Sequence, residues 1–182
     1  PTIYQEMLLV HQLQILVSES KNNKAIFKNL LDFSIHHCGS IEDLIQKDKN
    51  LHIHRYESSE YNFIKKSFQI FIDKNIAMNH LKETFEQYFP SEKSLFEDMY
   101  VNIDECKEMI SHGFDIGGHS RSHRWMQYLD KNEIHSEINS DIIFFDKLNF
   151  SNRYYCYPYG SYSDLCIDAI KDAGFEYAFT IE

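Results

Sequence analysis

Gly113-Phe114-Asp115-Ile116-Gly117-Gly118-His119-Ser120-Arg121-Ser122-His123 is the stretch on which the reading of this chain turns. Phe114 to Ile116 lies between glycines and reads as a short buried strand ending in a sharp backbone turn at Gly117-Gly118. Two histidines four apart follow that turn. Ser120 and Ser122 favour a turn, and one turn of helix through them puts both imidazoles on one face. Neutral imidazole is a favoured ligand of zinc and related divalent ions, which makes His119 and His123 the candidate metal ligands. The spacing alone is weak evidence in a chain with ten histidines; the glycines at a strand end give it weight.

A second signal follows downstream. Tyr154 to Tyr157 reads as another strand, closed by the turn Tyr157-Pro158-Tyr159-Gly160. Pro158 fixes its φ and Gly160 tolerates any, so the turn is rigid and sharp. Beyond joining strand to helix, it offers the Tyr159 ring as the wall of a sugar-sized groove and the Tyr159 N–H to an oxyanion. Tyr159 is therefore the candidate catalytic residue, and Tyr157, Pro158, Tyr159 and Trp125 are the candidate substrate-binding residues.

The elements around these signals alternate. Asn102 with Glu105 and Asp130 with Glu133 have capping-box spacing. Ile103, Cys106, Met109 and Ile110 form one helical stripe that stops at Gly113. Ile134, Ile138, Ile142, Phe145 and Leu148 form another. Ser163 opens a third helix through Ile167 and Ile170 to Gly174, and Phe175 to Ile181 reads as a last strand. This rhythm predicts an α/β fold with parallel strands and its chemistry at their carboxyl ends.

The first hundred residues read as mostly helical. Ala25, Ile26, Leu30, Leu31 and Phe33 have helical spacing before Gly39, and Leu44-Ile45 marks a short helix. Ile64, Phe68, Phe71 and Ile72 repeat at the same period, as do Ile76, Leu81, Phe85 and Phe89 before a stop at Pro90. Leu51-His52-Ile53-His54 alternates like an extended piece. The expected division is a mostly helical part over 1–58, a helical insert over 59–99 and an α/β core over 100–182, all in one domain. His52 with His54 is a rival pair on one face of a strand. His11, His36, His37, His80, His112 and His135 read as solvated or core-lining.

Composition narrows the partners. A formal charge of -10 argues against nucleic acid and anionic membrane surfaces. Aromatic content of 15% suits a ring-lined core or groove. The four cysteines lack a C-x-x-C pair and read as buried free thiols. No apolar run has transmembrane length, and Met7-Leu8-Leu9-Val10 lacks the flanks of a signal peptide, so the default compartment is cytoplasmic. The chain starts at Pro1, which leaves a removed leader open.

Taken together the motifs resemble the polysaccharide deacetylase family, the NodB-homology domain of carbohydrate esterase family four. Residues 113–123 are similar to its metal-binding motif, H-[ST]-x-x-H after a glycine-rich strand end, and Tyr157-Pro158-Tyr159-Gly160 is similar to its groove motif. Asn102 to Glu182 follows the family's element order, whereas residues 1–101 resemble only loosely the helical insert of some members. The resemblance implies a partial distorted (β/α) barrel with parallel strands and a helical insert in the N-terminal half. It implies a metal-dependent hydrolase that removes N-acetyl groups from an oligo- or polysaccharide. The cofactor is a divalent metal, zinc being the expected ion, held by His119, His123 and an aspartate. A metal-bound water attacks the amide carbonyl, a second aspartate serves as base and a late histidine as acid, while the Tyr159 N–H steadies the oxyanion.

The chain departs from that pattern in three places. It has no Thr-Phe-Asp-Asp segment; Asp32 and Asp146 are single acids within predicted helices. Cys156 stands where the family often has arginine, with Arg153 nearby but offset, and the late histidine is missing. The chain thus resembles the middle of a deacetylase domain without its flanks, incomplete or weakly active alone. A non-catalytic carbohydrate-binding or interaction domain on the same scaffold, and an amidohydrolase for non-sugar amides, are the alternatives.

Overall fold

Helical periodicity governs most of this chain, and its strands are short. The computed structural model describes residues 7–47, 58–89, 92–151 and 153–181. Leu51-His52-Ile53-His54, with its rival histidine pair, and the stop at Pro90 lie outside the described residues. The chain divides into two units, Leu9–Glu92 and Pro1–Leu8 with Lys93–Glu182.

The first unit consists of α1 (Leu9–Ser20), α2 (Lys24–Cys38), α3 (Ile41–Lys47), α4 (Ser59–Lys66) and α5 (Lys74–Tyr88). A π-helical turn, Ser67–Phe71, extends α4. Side chains rather than water satisfy the exposed amides at the helix starts: Asn23 accepts from Ala25 N–H, and Asp73 accepts from Asn75 and Ile76 N–H. The apolar stripes meet where α1 packs on α2 and α5, and α2 on α4. Leu13, Leu16, Ile26, Leu30, Ile64, Leu81 and Phe85 are fully buried there. Phe33 stacks on His80 with ring centroids 3.6 Å apart and 9° between planes, and His80 Nε2 lies 2.9 Å from Asn29 Oδ1. Burial holds the His80 imidazole below its ordinary pKa.

The second unit carries both sequence signals. It holds α6 (Glu92–Met99), α7 (Ile103–Ser111), α8 (Lys131–Leu148), α9 (Asp164–Asp172) and the strands β1 (Tyr154–Cys156) and β2 (Tyr177–Phe179). Both predicted capping boxes are formed, by Asn102 with Glu105 and by Asp130 with Glu133. The strands run parallel, with Tyr155 opposite Ala178. Around them α8 and α9 close a core of Met126, Ile134, Ile138, Phe145, Tyr155, Cys166, Ile170 and Phe175. Tyr155 is its largest fully buried side chain.

The expected partial (β/α) barrel is not formed; the fold is mostly helical. Among the described residues the sheet has two strands of three residues each, joined on the far side of β1 by the single bridge Gly118–Tyr155. The expected buried strand Phe114–Ile116 is irregular, and the Phe114 side chain is 58% exposed. A barrel closes with about eight tilted strands. Among the described residues the N-terminal half adds helices only, and the three-residue runs lack neighbours to extend against.

Candidate metal and carbohydrate site

The histidine loop is built on β1. Gly118 N–H donates to Tyr154 O at 2.8 Å, and its carbonyl accepts from Cys156 N–H at 2.9 Å, so both sides of this residue are held by the strand. The fit is tight: a Cβ here would stand 3.0 Å from the Tyr155 ring and 3.1 Å from Asp141 Oδ2. His119 thereby emerges at the strand's end, exposed to solvent. Its Nδ1 lies 2.6 Å from the Cys156 carbonyl. A carbonyl can only accept, so Nδ1 carries the proton and Nε2 keeps its lone pair for a ligand.

His119 and His123 have ring centroids 4.8 Å apart with planes at 78°. The expected helical turn does not bring them together. Ser120 and His123 both adopt left-handed backbone, at φ 61° and 55°, and the loop between is irregular. Ser120 Oγ accepts from His123 N–H at 3.0 Å and closes the loop across its own span.

Carboxylates of α8 hold this loop from below. Asp141 Oδ2 accepts from Ser120 N–H at 3.0 Å, and the His119 amide also stabilises the Asp141 carboxylate. Glu137 accepts from both the N–H and the hydroxyl of Ser122. Glu133 accepts from Arg124 Nη1 at 2.6 Å. Asp141 is buried, and desolvation pushes its pKa up to about 7 against the pull of the two amides. Sequence reading missed Glu137 and Asp141. The available signal was the spacing Glu133, Glu137, Asp141, one face of a helix directly beside the apolar stripe Ile134, Ile138, Ile142.

The proline turn lies against the second histidine. Tyr159 makes an edge contact with the His123 ring at 4.7 Å and stacks on Trp125 at 4.4 Å with 7° between planes. The turn's own hydrogen bonds run from Gly160 N–H to Tyr157 O and from Ser161 N–H to Pro158 O, so the Tyr159 N–H takes no part in them. Tyr159 sits at φ 59°, and Gly160, at φ 68°, faces Ile181 so closely that a Cβ would be 2.5 Å from it. Tyr157 and Pro158 are buried, Tyr157 as a member of the core, and burial pushes its hydroxyl up to about 12. Trp125 and Tyr159 are half-buried. Arg153 faces elsewhere: it lies over the Phe145 ring and 3.6 Å from Asp146, at the far end of α8. Cys38, Cys106 and Cys166 are buried thiols, whereas Cys156 is exposed.

The donor set can be compared with what a zinc ion needs. Two imidazoles sharing one tetrahedral ion at Zn–N of about 2.0–2.1 Å place their centroids on the order of 5 Å apart, and the 4.8 Å seen here fits. Among the described residues no third His, Cys, Asp or Glu joins them as a ligand group. Asp141, which holds this loop, is turned to a backbone amide. The pair fits as two nitrogen ligands of a metal, not as a whole site.

The strand-end histidine pair thus lies beside the aromatic turn. The family model described as polysaccharide deacetylase matches residues 69–178, more than half of the chain, and the chain belongs to that family. No curated protein and no solved structure gave a match.

Proposed function

We propose that this chain carries the histidine-bearing part of a carbohydrate N-deacetylase, with an N-acetylated oligo- or polysaccharide as substrate. One observation carries the reading: two imidazoles 4.8 Å apart at a strand end, one with its Nδ1 proton committed to a carbonyl. His119 and His123 would hold a divalent metal, zinc being the expected ion. Bound there, it would supply Lewis-acid polarisation of the amide carbonyl and an activated water. The chain's own residues do the rest of what is assigned here. The Cys156 carbonyl fixes the His119 tautomer. The face formed by Trp125 and Tyr159 packs a sugar ring. The Tyr159 N–H, uncommitted within its turn, donates to the carbonyl oxygen as charge builds on it.

The test is acetate release from chitooligosaccharides by the chain supplied with zinc. Metal-dependent release that falls at least 100-fold in His119→Ala supports the reading. Equal release by wild type and His119→Ala overturns it.

A second reading has a specific observation behind it. Among the described residues no carboxylate joins the histidine pair as a ligand group. On that ground the alternative is a carbohydrate-binding or interaction domain on the same scaffold. It predicts saturable oligosaccharide binding that depends on Trp125 and survives chelation, with no acetate released.

A further inference from the structure

Three acids of α8, Glu133, Glu137 and Asp141, stand four residues apart, and each meets the loop that carries the histidines. Their partners follow the loop in reverse order along the helix. Asp141 takes the amides of His119 and Ser120, Glu137 takes the amide and hydroxyl of Ser122, and Glu133 takes the Arg124 guanidinium. The amide just after the first histidine and the amide just before the second are thus each bound to a carboxylate of one helix. The Glu133–Arg124 pair is the most exposed of the three and holds the loop least.

The loop needs such anchors. Ser120 and His123 occupy left-handed backbone, which residues with a Cβ hold only when their surroundings impose it. Residues 119–124 lie outside every helix and strand. α8, in contrast, is fixed: Ile134, Ile138 and Phe145 bury its other face in the core. Its rise sets residues 137 and 141 about 6 Å apart along the axis.

We propose that Asp141 and Glu137 are positioning residues, and that α8 sets the separation of the His119 and His123 rings. The proposal rests on the reading of those two rings as one site. Neither acid touches a metal or a substrate; each acts through the loop backbone. Ser120 Oγ passes the hold of Asp141 on to the His123 amide. Sequences that keep the two histidines but lose these acids would present the same ligands without a fixed spacing.

The experiment uses the whole chain in two states. In the metal-free state, NMR reads nuclear Overhauser contacts between the two imidazole rings and the protonation of His119 Nδ1. Wild type shows the ring–ring contact. Asp141→Ala and Glu137→Ala lose it while far-UV circular dichroism stays native, whereas Asp141→Asn and Glu137→Gln, whose amide oxygens still accept, keep it. With zinc alone as the probe, the alanine variants bind 10–100-fold more weakly, the range expected for loss of a group that orients a ligand. The amide variants stay within a few-fold of wild type. Folded alanine variants with an intact ring–ring contact and wild-type zinc affinity overturn the proposal. Should Asp141→Ala fail to fold, Ser122→Ala decides instead: it removes one of the two donors to Glu137 at the loop surface, and an unchanged ring–ring contact and zinc affinity there count against the idea. Zinc bound equally by wild type and His119→Ala overturns the shared site itself; the metal-free contact still judges the positioning role.

Discussion

Gly118 shows how little room the site leaves. Its missing side chain is what lets the loop pass between the Tyr155 ring and the Asp141 carboxylate. Neither neighbour can retreat, because Tyr155 is fully buried and Asp141 is held by two amides. Gly118→Ala should therefore destabilise the chain by about 1–3 kcal/mol, the cost of overpacking a filled interior, and urea denaturation measures it. Tyr159 predicts the opposite sign. Its hydroxyl is buried and has no hydrogen-bond partner among the described residues. Tyr159→Phe removes an unsatisfied group without altering the ring, so stability should hold or rise by up to about 1 kcal/mol. The oxyanion role belongs to the backbone, so acetate release should be retained in that variant. A large loss of release in Tyr159→Phe would place the chemistry in the hydroxyl instead.

At the scale of elements, the helices and the strands at Tyr154–Cys156 and Tyr177–Phe179 were legible, and the strand expected at Phe114–Ile116 was not, for one physical reason. A helix announces itself over several turns: Asn102 with Glu105 and Asp130 with Glu133 marked two starts, and both boxes are formed. Phe114–Ile116 spans too few residues to display any period, and whether it pairs depends on neighbours far along the chain. The histidine pair and the proline turn were legible because glycine and proline punctuate them. The acids beneath them were not, since Glu137 and Asp141 on a helix resemble an ordinary solvated face. Capping gives a direct check at this scale: Asp130→Ala should cost about 0.5–2 kcal/mol, read as a lower unfolding midpoint. The α2–α5 contact gives another. Burial keeps His80 below its ordinary pKa of 6.5, so the unfolded chain binds this proton more readily than the folded one. The stability it contributes is complete above pH 6.5 and is lost as pH falls below that value toward the folded pKa. His11, also held down by burial, adds in the same direction. Urea midpoints should thus drop between pH 7.5 and 5.5, with a shallower drop in His80→Phe, whose ring can keep the stack on Phe33 without titrating.

For the whole molecule the open sheet matters most. Among the described residues β2 pairs with β1 alone, and its outer edge carries Tyr177 and Phe179, 59% and 54% exposed, followed by Ile181 at 82%. An uncovered apolar edge strand is a template for pairing with another chain. A net charge of -10 opposes that approach, and salt screens the repulsion, with a Debye length of about 10 Å at 0.1 M. These two effects give opposite salt responses, which separates them. Self-association through β2 should be weak at low ionic strength and strengthen as salt is added, whereas association through ion pairs would weaken. Sedimentation velocity over a concentration series at two salt levels reads the difference. Phe179→Lys places a charge on the edge, where the ring is largely in solvent and little packing is lost. It should shift the chain toward monomer at both salt levels with an unchanged far-UV spectrum. Association that is unaltered in this variant would assign the contact to another surface and leave β2 as a solvated edge.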